Sequence, residues 1–295
     1  MELSAGVVTN GFIVGLNCIE WAKSRTLTSY DKITTSLAFS RFCLQISLSL
    51  DNFLIKLYPD FYGVFQRMEP YLVIWVFTNQ MNICFESCLS VFYCVKIATF
   101  NLSLFSWLKL KISKLVQWLL LSSVLYCLVT TVSYNLFMFY WVLSHNSTDS
   151  LSRNVTVSDI KNNLKWYTFL IHSLGSIFPL ILFFASSVLL IISLWRHLRK
   201  MKLNSDPNPS FRNLSMDAHV RALKSLVIFF ILYIIYYVFS ISSNLSDFSD
   251  EWKITVCTVV DAAYPSVQSI ILILGNPKLK LASSRILHSA SCYFS

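Results

Sequence analysis

Polar side chains lie inside an apolar stretch that begins near Pro70. Glu86 lies deep within it, and Asn79, Gln80 and Asn82 precede it by one or two helical turns. Such groups are costly in hydrocarbon and persist where they face other helices or water. The sequence has no glycine-rich phosphate loop, no HExxH zinc motif and no nucleophile elbow. These residues therefore predict ion pairing and hydrogen bonding rather than catalysis, and we do not expect an enzyme.

A second ionisable side chain, Arg41, lies roughly 12 Å inside another apolar stretch, and Glu86 lies roughly 16 Å inside its own, at the rise of an α-helix. A buried arginine needs a carboxylate or several carbonyl oxygens, so Glu86 is a candidate partner for Arg41. Three more polar residues lie at similar depth. The predicted internal polar network comprises Asn10, Arg41, Glu86, Gln268 and Ser269. It is either a lock that rearranges on activation or a static structural network.

Toward the opposite ends of the stretches, the residue types favour a pocket for a small molecule. Asp51 and Asp261 lie in these outer halves, and Tyr236 and Tyr237 share a polar, aromatic stripe with Tyr233. Aromatic walls with a few polar groups are typical of ligand sites. Ordinary packing, in which each tyrosine hydroxyl finds a partner, is the alternative for the tyrosines.

The composition indicates the class of protein whose helices must position these residues. Of 295 residues, 55% are hydrophobic and 13% are charged, against about 25% charged in a soluble domain. We therefore expect an all-α protein that crosses the membrane several times. Six of the eight cysteines lie inside apolar stretches, which argues against a disulfide or metal framework. No cofactor is expected, and the net charge of +9 is not read as nucleic-acid binding.

Seven stretches are long enough to span a bilayer. They cover about 3–21, 33–57, 70–97, 115–141, 167–195, 223–244 and 254–275, and leave a tail at 276–295. Lysine and arginine concentrate in alternate connections, with 17 on one side and five on the other. The positive-inside rule then places the N-terminus outside and the tail in the cytoplasm. The chain is predicted to be one seven-helix domain over residues 1–295, in the plasma membrane.

Six short motifs are distributed along the chain: LAFSR at 37–41, FYCVKIA at 92–98, SSVLLIISLWRHLRKM at 186–201, AHVRALKS at 218–225, YPS at 264–266 and LILGNPKLK at 272–280. Together they resemble the motifs of one family, the type 2 (bitter) taste receptors. The resemblance implies a G-protein-coupled receptor that detects small bitter compounds and activates a gustducin-like heterotrimeric G protein. It further implies a G-protein side that contains Tyr93, Lys96, His197, Lys200 and Lys224.

The alignment to this family directs the stripe of Gln80, Cys84 and Cys88 to the ligand. The polar residues alone instead favour the opposite face, with Asn79, Asn82 and Glu86. For ligand contact we follow the alignment. The predicted ligand-binding residues are Gln80, Cys84, Cys88, Asp51, Asp261, Tyr236 and Tyr237. Two departures stand out, since the family usually has tryptophan at position 84 and histidine at position 268, where this chain has Cys84 and Gln268.

Other functions stay open as alternatives. Among receptors, the first alternative is a vomeronasal-type pheromone receptor, although the LGNPKLK motif argues against it. A small transporter would need broken helices or a continuous polar path, and the charges are not aligned in that way. The sequence does not fix an oligomeric state, so homo-oligomers and hetero-oligomers are both open.

The predicted external stretch 142–166 carries N-glycosylation sequons at Asn146 and Asn154. Because the basic-residue bias places this stretch outside, glycosidase treatment is expected to shift the electrophoretic mobility of the expressed protein. Substituting both asparagines is expected to abolish that shift. A shift that survives the double substitution contradicts the assignment.

Overall fold

A computed structural model describes residues 2–57, 69–97, 103–148, 157–203, 224, 227–239 and 251–294. Apart from the turn at 25–28 and Asn276, all of these residues lie in α-helices. The helices are α1 (Glu2–Ser24), α2 (Ser29–Leu57), α3 (Glu69–Ile97), α4 (Ser103–Thr148), α5 (Val157–Leu203), α6 (Val227–Phe239), α7 (Glu251–Gly275) and α8 (Pro277–Phe294).

Each of the seven apolar stretches corresponds to one of the helices α1 to α7, but two helices are much longer than predicted. α4 and α5 extend past the predicted spans 115–141 and 167–195 at both ends. The stretch 142–166, predicted to be a loop, is therefore helical to Thr148 and again from Val157. A helix requires an apolar sequence only where it contacts the hydrocarbon of the bilayer. Beyond that part, backbone hydrogen bonds allow the helix to continue without an apolar sequence.

The predicted tail forms the helix α8, which the apolar pattern did not reveal. Its start has a local cause. The Asn276 side chain accepts a hydrogen bond from the backbone N–H of Lys278 at 3.0 Å, and Pro277 occupies the first helical position. Asparagine at the N-cap followed by proline is a standard helix start, so the Asn276-Pro277 pair was the available signal.

The helices arrange polar groups inside and apolar groups outside. One face of α4 exposes apolar side chains along several turns, among them Trp118 at 69% and Val129 at 65%. The segments Trp107–Phe137 and Ser173–Arg196 are long and apolar enough to cross a bilayer. The interior, by contrast, contains asparagine, glutamine and serine side chains and a fully buried arginine.

α3 lies at the centre of the described bundle. It packs against α2, α4 and α5, while α1 packs on α2 and α7. Between Thr78 and Val95 only Met81, Val91 and Tyr93 are more than marginally exposed. Apolar side chains of α3 such as Phe85, Leu89 and Phe92 form the main hydrophobic cluster. The polar face of α3 is thereby enclosed by neighbouring helices, as its sequence predicts.

Gly6 allows α1 to approach α2 and α7 closely. A Cβ atom there would lie 1.9 Å from Gln45 Nε2 and 2.3 Å from Ser266 Oγ, whereas a Cβ atom at Gly15 would have no such neighbour within 4 Å. Gly6→Ala is expected to push the Gln45 amide out of its buried hydrogen bonds, at a cost of roughly 1–3 kcal/mol. The measurement is the apparent melting temperature of the purified protein in detergent.

Gly15→Ala is the matched control. It adds the same methyl group to the same helix in open space, so only helix propensity changes, by up to about 1 kcal/mol in favour of the folded protein. Equal melting temperatures for the two variants contradict the close approach at Gly6.

Candidate functional site

Arg41 of α2 is 1% exposed and its guanidinium is surrounded by hydrogen-bond acceptors. Its Nη2 donates to Glu86 Oε1 of α3 at 2.8 Å, which forms a buried ion pair. Nε donates to Asn82 Oδ1 at 3.1 Å and Nη1 to Ser269 Oγ at 3.3 Å. Nη2 also donates to Gln268 Oε1. One side chain of α2 is thus bound to two side chains of α3 and two of α7.

The second oxygen of the Glu86 carboxylate is also occupied. Tyr264 of α7 donates its hydroxyl to Glu86 Oε2 at 2.8 Å. Removing a charge pair from water is expensive unless the remaining lone pairs and protons are satisfied. Here the carboxylate accepts on both oxygens and the guanidinium donates from all three nitrogens. The pair is therefore tolerated inside the bundle.

The network continues into α1. Ser269 Oγ donates to Asn10 Oδ1 at 2.7 Å, and Asn10 Nδ2 donates to Gln45 Oε1 at 3.1 Å. Gln45 Nε2 in turn donates to Ser266 Oγ at 2.9 Å. The structure thus brings together all five residues of the predicted network and adds Asn82, Tyr264, Gln45 and Ser266. Gln45 follows Arg41 by four residues, and that helical spacing was an available signal.

An aromatic cluster joins the network through Tyr264. The Tyr264 ring stacks on that of Tyr236 in α6, with centroids 4.6 Å apart and planes 18° apart. Tyr233 stacks on Tyr237 at 6.2 Å and contacts Phe183 of α5 at 5.5 Å. Tyr236 therefore lies next to the polar network, and Tyr237 lies farther from it, against Tyr233. Among the described residues, the buried Tyr233 hydroxyl has no hydrogen-bond partner.

The stripe of Gln80, Cys84 and Cys88 faces the other way, toward α4 and α5. Gln80 donates to the carbonyl of Gly175 in α5. The Cys127 thiol of α4 lies 3.3 Å from Cys84 Sγ, and Cys88 Sγ lies 3.2 Å from Ser123 Oγ. These three predicted ligand contacts are interhelical contacts in this structure, on the far side of α3 from Glu86.

A small cavity lies beside the ion pair, with Arg41, Glu86, Tyr93 and Phe229 in its wall. Its volume is about 10 Å³, which is enough for about one water molecule. This cavity is therefore too small to hold a molecule much larger than water.

Of the remaining predicted site residues, some are described by the structure and others are not. Tyr93 packs on Tyr30, with ring centroids 5.9 Å apart. The Lys96 ammonium lies 5.3 Å above the Phe92 ring, and Lys224 is exposed. The following lie outside the residues and side chains that the structure describes: the side chains of Asp51, Asp261, His197, Lys200 and Asn146, and the whole of Asn154.

Comparison with known proteins gives consistent matches. A family described as taste receptor protein (TAS2R) matches residues 1–291. Taste receptor type 2 member 9 of Homo sapiens is 37% identical over 294 residues, covering 99% of this chain and 92% of that protein. Taste receptor type 2 member 7 of Papio hamadryas is 38% identical over 301 residues, covering 97% and 90%. The crystal structure of squid rhodopsin matches with a TM-score of 0.63 at 15% identity, covering 98% of this chain and 83% of that one, and shows the seven-helix fold.

Removing one charge of the ion pair is expected to destabilise the protein more than removing both charges. Arg41→Met leaves a buried carboxylate, and Glu86→Gln leaves a buried guanidinium, each at about 3–5 kcal/mol. The apparent melting temperature in detergent is expected to fall by roughly 10 °C in each single variant. The double variant, which buries no charge at either position, is expected to lose clearly less than the two losses combined.

Arg196→Met is the control, because it removes an exposed guanidinium from α5 and is expected to cost no more than about 0.5 kcal/mol. Strictly additive losses in the double variant would mean that Arg41 and Glu86 do not interact.

Proposed function

Because the chain belongs to the type 2 taste receptor family, we propose that the buried pair of Arg41 and Glu86 is the internal lock of a bitter taste receptor. The protein is a G-protein-coupled receptor, not an enzyme, and it spans the plasma membrane several times. The matches do not favour a vomeronasal-type receptor or a transporter.

The observation that carries the proposal is the position of Tyr264. Its hydroxyl donates to Glu86 and its ring stacks on Tyr236. One side chain of α7 therefore contacts both the ion pair and the aromatic cluster of α5 and α6. A ligand that displaces Tyr236 would move the Tyr264 ring and weaken its hydrogen bond to Glu86. Arg41 could then shift toward Asn82, Gln268 and Ser269, which it already contacts.

For the ligand pocket, the contacts favour the tyrosines over the cysteine stripe. Tyr236 and Tyr237 are part-exposed, and they stack on Tyr264 and Tyr233 respectively. Gln80, Cys84 and Cys88 contact α4 and α5 directly, so a ligand reaches them only if these helices separate. We propose Asp51 and Asp261 as polar groups of the same outer region, on the basis of their sequence positions.

The cytoplasmic side is assigned from charge. The excess of basic residues supports an external N-terminus, external Asn146 and Asn154, and a cytoplasmic α8. On that side Lys96 and Lys224 are exposed, as a surface for an acidic partner requires. We propose that they bind a gustducin-like G protein together with Tyr93, His197 and Lys200.

The receptor function is tested with a panel of bitter compounds in cells that express a promiscuous G protein, with calcium as the readout. Within that assay, Tyr264→Phe keeps the ring stack and removes the hydroxyl that donates to Glu86. A hydrogen bond to a charged group contributes about 1.5–3 kcal/mol, so the equilibrium constant between the resting and active states is expected to shift roughly tenfold or more toward the active state. Basal signalling is expected to rise, and agonists are expected to act at lower concentration.

Tyr140→Phe is the matched control, since it removes the same hydroxyl from a side chain that is 67% exposed. It is expected to leave basal signalling and potency unchanged. If Tyr264→Phe also changes neither at normal surface expression, the network is static. If no bitter compound evokes a response in the unmodified receptor, the ligand class is wrong.

A further inference from the structure

A groove of about 520 Å³ lies between α1 and α8, on the outer surface of the bundle. We propose that it binds an anionic phospholipid of the cytoplasmic leaflet, with an acyl chain along α1 and the headgroup at the end of that helix. The inference is independent of the proposed lock at Arg41, but it rests on the cytoplasmic placement of α8.

The wall of the groove changes from apolar to charged along one face of α1. Phe12, Leu16 and Ile19 are spaced three and four residues apart, and Glu20 and Lys23 continue the same face toward the end of the helix. This order matches a lipid, whose acyl chain lies in hydrocarbon and whose headgroup lies at the interface.

Gly15 forms a gap in the same wall. It is exposed, and no atom other than its own helix and its chain neighbours lies within 4 Å of the position of an added Cβ. The missing side chain leaves space for an acyl chain against the α1 backbone, between Phe12 and Ile19. Gly15 thus differs from Gly6 of the same helix, where a Cβ atom would meet Gln45.

α8 has the character of a helix that lies in the membrane interface. Leu279 is buried against the bundle, whereas Leu281 and Ile286 are 55% and 56% exposed on a helix that also carries basic residues. Exposed apolar side chains beside lysine and arginine are typical of interfacial helices. Residues 277–295 contain no aspartate or glutamate, so α8 presents only positive charge to an anionic leaflet.

Among the described residues, Lys23 in the wall of the groove and Arg285 near it take no part in the ion pairs of the groove. Lys278 pairs with Glu20 of α1 and lies 3.5 Å from Asp31 of α2, which attaches α8 to both helices. Lys23 lines the groove, is exposed and has no ion pair among the described side chains. Arg285 is exposed, adjoins Ile286 and follows Lys278 by seven residues, so it lies on the same side of α8. These two charges complement a phosphate group.

The test uses the full-length receptor in nanodiscs of phosphatidylcholine, with or without phosphatidylserine, and quantifies the phosphatidylserine retained on the purified receptor by mass spectrometry. Lys23→Gln with Arg285→Gln removes the headgroup charges and leaves the Lys278 ion pair intact. Retention is expected to fall about fivefold for each charge removed. Gly15→Leu fills the groove and is expected to abolish retention without removing a charge.

Two controls separate this site from general effects. Lys109→Gln with Lys111→Gln removes two exposed charges of α4 away from the groove, and Val8→Leu enlarges an exposed side chain of α1 outside it. Both are expected to retain phosphatidylserine. An equal loss in the α4 variant means diffuse attraction to the basic surface and overturns the site.

Retention that survives the change of both Lys23 and Arg285 also overturns the proposal, and this holds even if Gly15→Leu does not fold. If Gly15→Leu instead dissociates receptor dimers and leaves the lipid bound, a second copy of the chain occupies the groove. The Tyr264→Phe assay reads a different part of the molecule, so failure of one proposal leaves the other standing.

Discussion

Burying the charge of Arg41 is the constraint on which the arrangement of the helices depends. A guanidinium that is 1% exposed inside an apolar bundle must find acceptors for its donors within the protein. α2 alone does not provide them, because its own backbone carbonyls are used in the helix. The acceptors come from α3 and α7. The relative positions of three helices are therefore fixed by the partners of one side chain.

The same logic extends to the other helix contacts. Lipid tails are as apolar as leucine, so burying apolar surface does little to hold helices together within a bilayer, and small polar side chains do more. The contact of α3 with α5 shows this. Ser186 Oγ donates to Ser90 Oγ at 2.8 Å, and Ser87 Oγ donates to the carbonyl of Pro179 at 2.6 Å. Serine allows close approach of the backbones and supplies the hydrogen bond as well.

The sequence predicted the features that lie within the hydrocarbon core of the bilayer better than those that lie outside it. The seven apolar stretches and the polar residues inside them were detectable because a polar group in lipid is exceptional and must have a reason. Hydropathy did not reveal α8 or the long ends of α4 and α5, because a helix in water or at the interface needs no continuous apolar sequence. Only the start of α8 had a separate signal, in Asn276 and Pro277. The sequence left open which face of α3 meets which neighbour. Both polar stripes of α3 are buried, and only the three-dimensional contacts assign Glu86 to α2 and α7 and Cys84 to α4.

The two departures from the family pattern, Gln268 and Cys84, are each compatible with the side chains around them. Gln268 lies beside Arg41, whose charge is already balanced by Glu86. A protonated histidine there would add a second buried cation with no counterion, whereas the amide of Gln268 provides an acceptor and no charge.

Cys84, where the family usually has tryptophan, is 4% exposed and its sulfur lies 3.3 Å from that of Cys127. An indole would not fit at that separation, so the small residue permits α3 and α4 to pack closely. The space next to Cys84 is thus taken by α4, whereas Tyr236, which stacks on Tyr264, lies on the side of α3 that carries Glu86.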